Sequence, residues 1–140
     1  MESKTFYSEI INDHNLHPLH KHDIEKPDIV LEGVNPSCGD DIVLQLKVKD
    51  GVITDGSYVG EGCAISQASA DIMLDMIIGR TTDEAIALHD KFMNMIKGNA
   101  TEEDIEELEE AGVFSEISHM PARVKCAVLG WKTVKEAIES

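Results

Sequence analysis

Cys38 and Asp40 flank Gly39 in "VNPSCGDDI", Val34 to Ile42, so that a thiol and a carboxylate sit on either side of the residue that bends most freely. Two further cysteines, Cys63 and Cys126, complete the thiol inventory. Three thiolates and one carboxylate make four donors, the number a tetrahedral zinc ion accepts, and thiolates are its favoured soft ligands. The intervals, 25 residues (38 to 63) and 63 residues (63 to 126), match no known structural zinc pattern, and no C-x-x-C pair occurs. Asp40 has a second reading as a turn residue, and the thiols have one as inert core groups. Against the latter, each cysteine falls at a junction between regular elements rather than within an apolar stripe. Cys63 follows "GEG" at an expected helix start, where unpaired amides and the helix dipole favour the thiolate.

Competing chemistries have less support. Cys38 or Cys63 could act as a nucleophile with His89 or His119 as base, but His89 falls inside a helical pattern and His119 stands just ahead of Met120 and Pro121. The glycines of "GVITDGSYVGEG" lack the G-x-x-x-x-G-K-[ST] order of a phosphate loop. His14, His17, His20 and His22 crowd around Pro18 in "HNLHPLHKH". Without a cysteine or carboxylate at fixed spacing, that stretch reads as a solvated loop rather than a metal tract.

A frame must carry these residues. Phe6, Tyr7, Ile10 and Ile11 fall on one side of a helical wheel, which predicts a first helix from Lys4 to about Asp13. Ile42, Leu44, Leu46 and Val48 alternate with Gln45, Lys47 and Lys49, and Asp50-Gly51 is a strong hairpin signal. Ile29 to Gly60 should therefore form a three-stranded antiparallel sheet with one wet face. After Gly62, the stripe Ile65, Ala68, Ile72, Met76 predicts a helix that stops at Gly79. Thr81 with Glu84 is a capping-box pattern opening a helix that ends at Gly98. An acidic helix is expected over Glu102 to Ala111, and a long C-terminal helix from Pro121, with Val124, Val128, Trp131, Val134 and Ile138 on its apolar stripe. The fold class is α+β, and the 140 residues are expected to form a single domain, 1–140.

Charge narrows the partners. Twelve Lys and Arg against 27 Asp and Glu give a net charge of -15, which disfavours nucleic acid and anionic membrane surfaces. The acidic run "TEEDIEELEEAG" reads as a solvated helix face. No run approaches the roughly 18 apolar residues of a membrane span, and "MESKTFYSEI" lacks the features of a secretory signal, so a cytoplasmic protein with reduced thiols is expected.

Taken together, "NPSCGDDI", "GEGCAISQASA" and "PARVKCAVLGW", in this order and at these intervals, resemble the U-type (NifU N-terminal/IscU-like) iron-sulfur cluster assembly family, and within it the SufU branch. The likeness runs from "YSEIINDH" to "GWKTVKEAI", nearly the whole chain. IscU-type scaffolds carry a histidine directly before the last cysteine, where this chain has Lys125, and they lack a stretch corresponding to about Lys97 to Ala122. The resemblance implies a zinc-dependent sulfurtransferase that accepts sulfane sulfur from a SufS-type cysteine desulfurase and serves downstream iron-sulfur assembly machinery. It implies Cys38, Asp40, Cys63 and Cys126 as zinc ligands, with Cys38 as the sulfur acceptor. Four negative charges around a divalent ion should leave one ligand exchangeable, and a partner histidine replacing Cys38 would free its thiolate. Arg123 is a candidate to hydrogen-bond a site carboxylate or thiolate, with an exposed helix charge as the other reading. The alternative within the same family is a scaffold that assembles an iron-sulfur cluster on the same residues.

Overall fold

The computed structural model describes residues 3–140, with side chains from Tyr7 onward; the side chain of Phe6, assigned to the first helix's apolar face, lies outside the described residues. The chain runs α1 (Ser3–Leu16), β1 (Ile29–Asn35), β2 (Asp40–Lys49), β3 (Val52–Glu61), α2 (Ala64–Ile77), α3 (Thr82–Ile96), α4 (Glu102–Glu107), a 3₁₀ segment (Glu109–Ile117) and α5 (Pro121–Glu139). The three strands form one antiparallel sheet in the order β1-β2-β3, as the alternation predicts. Asp50 (φ 53°) and Gly51 (φ 77°) both take the left-handed conformation that a two-residue hairpin turn demands. No helix is long and apolar enough to cross a membrane among the described residues.

Burial follows the strand period on one face. Ile42, Leu44 and Leu46 are fully buried beneath α2 and α5, which pack on the sheet and on each other, with Ser69 Oγ donating to the Ala127 carbonyl at 2.6 Å. Behind them Trp131 stacks on Phe92 at 4.9 Å, and Phe114 meets the edges of Phe92 and Tyr7, tying α5, α3, the 3₁₀ segment and α1 into one core. The opposite face is drier than the alternation suggests. Gln45 is buried there because the chain after α1 returns across it: the Ile24 N–H donates to Gln45 Oε1 (3.1 Å), and Gln45 Nε2 donates to Asp23 Oδ1 (2.7 Å).

Two helix boundaries differ from expectation. The acidic helix stops at Glu107 rather than reaching Ala111. The chain tightens there into a 3₁₀ turn, whose repeat of three places Ala111, Phe114 and Ile117 on one buried face, while like charges at four-residue spacing, Glu102 with Glu106 and Glu103 with Glu107, weaken a longer α-helix. At the other end of the chain, α1 continues past Asp13 through His14, which is buried rather than solvated.

His14 is held by its ring. Nδ1 lies 2.6 Å from Asp71 Oδ2 and Nε2 lies 3.0 Å from Glu110 Oε1, so one imidazole joins α1 to α2 and the 3₁₀ segment. Asp71 also accepts the backbone N–H groups of Leu19 and His20, which fixes the chain as it leaves α1. An aspartate fully buried on α2 needs such partners to be buried at all. The other three histidines make no common site: His17 is exposed, His20 faces Asp75, and His22 bonds the Asp23 carbonyl.

Burial alone would lower the pKa of His14, but hydrogen bonds to Asp71 and Glu110 outweigh it and raise the pKa above its ordinary value of 6.5. A raised folded-state pKa stabilises the fold fully below the unfolded value, and that contribution is lost as pH rises through the folded one. His14→Gln is therefore expected to cost about 2 kcal/mol at about pH 6 and clearly less at about pH 9. Denaturant unfolding of both proteins at the two pH values checks this; a deficit that grows with pH contradicts it.

Candidate metal centre

Cys38 is placed by a turn. Asn35, Pro36, Ser37 and Cys38 form it, closed by the Cys38 N–H donating to the Asn35 carbonyl at 3.2 Å, with proline at the second position where its fixed φ suits the bend. Gly39 follows with φ 71°, a conformation that side chains resist, and it lets the chain re-enter the sheet with Asp40 paired to Asn35. Strand alternation then turns Asp40 inward, where it is fully buried, and Asp41 outward.

Cys63 is the N-cap of α2, its sulfur accepting the Ser66 N–H at 3.4 Å. Gly62 permits this approach: a Cβ there would lie 2.5 Å from Ser66 Oγ and 2.9 Å from Asp40 Oδ1. With that space free, the Cys63 N–H donates to Asp40 Oδ1 at 2.7 Å. Cys126 enters from the buried face of α5, and its thiol meets Cys38 Sγ at 3.2 Å.

The donor atoms of Cys38, Asp40 and Cys126 all lie within 4.8 Å of one another, a cluster able to hold a metal ion. Cys63 Sγ adjoins Cys126 closely enough to raise its pKa, although it falls outside that common 4.8 Å set. Burial, then the hydrogen bond to Cys38, the adjoining Cys63 sulfur and the nearby Asp40 carboxylate, push the Cys126 thiol far above the usual thiol range. Among the described residues no Lys, Arg or His forms an ion pair with Asp40. A buried carboxylate among converging thiols, with no protein cation to balance it, suits a soft divalent ion, whose charge would reverse the pressure on the sulfurs.

Neighbouring groups add detail. Asn35, which sequence reasoning missed, directs Nδ2 at Asp40 Oδ2 (3.3 Å) and Cys126 Sγ (3.9 Å). Its signal was present as a polar side chain two residues after Gly33, on the inward side of β1. Arg123 stands exposed in the first turn of α5; burial raises the pKa of the Tyr7 phenol, and the Arg123 guanidinium offsets only part of that rise. Tyr7 Oη nevertheless makes no hydrogen bond of good geometry. Lys125 points to solvent, beside Val34 and Ser37. His89 Nδ1 faces Asp90 at 2.9 Å, and neither His89 nor His119 bonds a cysteine among the described residues.

The sheet with its helical cover, and a thiol-carboxylate cluster at the junction of a turn, a helix start and the C-terminal helix, define an α+β fold with a cysteine-lined site able to hold a metal ion. The NifU-like N terminal domain family matches residues 6–98, and the chain belongs to that family. It is 42% identical over 99% of its length to the iron-sulfur cluster assembly scaffold protein IscU of Thermotoga maritima, covering 96% of that protein. It is 34% identical to the zinc-dependent sulfurtransferase SufU of Bacillus subtilis, over 96% of this chain and 90% of that protein. Among solved structures, a candidate iron-sulfur cluster assembly scaffold protein for the SUF system from Fervidobacterium islandicum superposes with a TM-score of 0.85 at 36% identity, covering 98% of this chain and 99% of that one.

Proposed function

We propose that this chain is a zinc-dependent sulfurtransferase of iron-sulfur cluster assembly, receiving persulfide sulfur on Cys38 from a SufS-type cysteine desulfurase. The observation that carries this reading is the unequal exposure of the site: Cys38 is exposed on a turn, while Asp40 and Cys126 are buried behind it. Cys38, Asp40, Cys63 and Cys126 would hold the metal, and their donor chemistry, three sulfurs and one carboxylate, fits zinc. Zinc, when bound, keeps the sulfurs as thiolates at neutral pH and protects them from oxidation.

Transfer itself is a thiolate exchange. Cys38 Sγ attacks the outer sulfur of the partner's persulfide, a new S–S bond forms to Cys38, the partner's own S–S bond breaks, and its cysteine leaves as a thiolate. Oxidation level is conserved, so no redox partner is needed. The pyridoxal phosphate that generates the persulfide belongs to the desulfurase. The 140 residues act as one domain in the cytoplasm, and the sulfur passes on to downstream assembly machinery.

The scaffold reading has a specific support in the names of relatives such as the Thermotoga and Streptococcus pyogenes IscU proteins. Against it, the residue before Cys126 is a solvent-facing lysine, which supplies no ligand. Anaerobic reconstitution with iron and sulfide separates the two. The relay predicts that zinc persists and that little cluster reaches an apoprotein acceptor; a stable, readily transferred cluster favours the scaffold.

A further inference from the structure

The three thiols of the site are not equivalent in what they accept. Cys63 Sγ receives the Ser66 N–H at 3.4 Å, and Cys126 Sγ faces Asn35 Nδ2 at 3.9 Å. Cys38 Sγ meets only the Cys126 thiol at 3.2 Å and has no N–H donor among the described residues. Asn35 is buried at the last position of β1, and its backbone carbonyl already closes the turn that carries Cys38. The same nitrogen lies 3.3 Å from Asp40 Oδ2, whose other oxygen takes the Cys63 N–H. Two amide hydrogens on one nitrogen serve both acceptors. The amide's orientation is dictated by its neighbours, because a flip would set its oxygen against a carboxylate and a sulfur, both acceptors.

We propose that Asn35 is a positioning residue that ranks the thiolates, holding Asp40 and Cys126 as fixed donors and leaving Cys38 as the sulfur that is released to react. An N–H donated to a thiolate draws charge from the sulfur, so that it attacks electrophiles less readily and stays where it is held. Cys63 and Cys126 are restrained in this way and Cys38 is not. The inference rests on the zinc-dependent sulfur-transfer reading and adds to it what makes one of three sulfurs different.

The test uses the full chain loaded with zinc, reacted with iodoacetamide, with the alkylation rate of each cysteine mapped by peptide mass. In the wild type Cys38 reacts first. In Asn35→Leu, which keeps the approximate size and loses the donor, and in Asn35→Ala, the rate at Cys126 relative to Cys38 should rise about tenfold, with faster zinc loss to a chelator. Cys63, which keeps its Ser66 N–H, should stay unchanged, a pattern that general loosening of the fold would not produce. An unchanged ranking in variants that take up zinc overturns the role of Asn35 alone, as does an equal rise at all three cysteines. A wild type that binds no zinc overturns the sulfur-transfer reading and this inference with it.

Discussion

Replacing Cys38 with serine is expected to abolish sulfur acceptance while leaving the protein folded and able to bind metal. The exposed turn that carries Cys38 is set by backbone features, the Cys38 N–H to Asn35 carbonyl bond and the positive φ of Gly39, and serine disturbs neither. In the proposed ligand set Asp40, Cys63 and Cys126 would remain, so zinc should be retained more weakly rather than lost. A serine hydroxyl, by contrast, is scarcely ionised at neutral pH and is a poor nucleophile toward a sulfane sulfur. Turnover of a SufS-type desulfurase, followed with and without the variant, should show stimulation falling to background. Full stimulation by Cys38→Ser would remove Cys38 from the mechanism.

Asp40→Ala should have the second large effect, on metal retention and stability together. The side chain is fully buried and accepts hydrogen bonds from the Cys63 N–H and Asn35 Nδ2. Removing it takes away a donor, strands those two donors in a dry site and frees the start of α2 from the end of β1. Loss of partners that merely orient a metal ligand costs about 10–100-fold in affinity, so loss of the carboxylate itself should cost at least about a hundredfold. Because metal binding is coupled to folding, the same change lowers the stability of the zinc-loaded protein by about 3 kcal/mol. Chelator competition and thermal unfolding with and without zinc measure both effects. Asp40→Asn, which preserves shape, should fall between. Undiminished zinc affinity in Asp40→Ala would show that the carboxylate is a turn residue only.

Much of this arrangement is legible in the sequence, for identifiable reasons. The period-two run from Ile42 to Val48, the Asp50-Gly51 turn and the Thr81/Glu84 capping box are local signals, and local hydrogen bonding realises each of them. The C-terminal helix announces itself through Pro121 and the Val128, Trp131, Val134 stripe, which is buried as expected. What escaped depends on contacts between distant segments. His14 looks like one more loop histidine until Asp71, 57 residues away, is placed beside it. Gln45 reads as solvent-facing until the chain around Asp23 and Ile24 folds across it. The acidic helix ends early because its last residues serve the core through a repeat of three rather than 3.6. At the site, the cysteines and Asp40 stand out by residue type, whereas Asn35 acquires meaning only once Cys126, 91 positions along the chain, is placed beside it.

The most direct test of the central claim is native mass spectrometry of the zinc-loaded protein after exposure to a persulfide-bearing SufS-type desulfurase, with fragmentation to locate the added sulfur. The account predicts one zinc per chain and one extra sulfur atom, carried on Cys38. A protein that gains sulfur elsewhere, or that accepts it equally well with no metal bound, would contradict it.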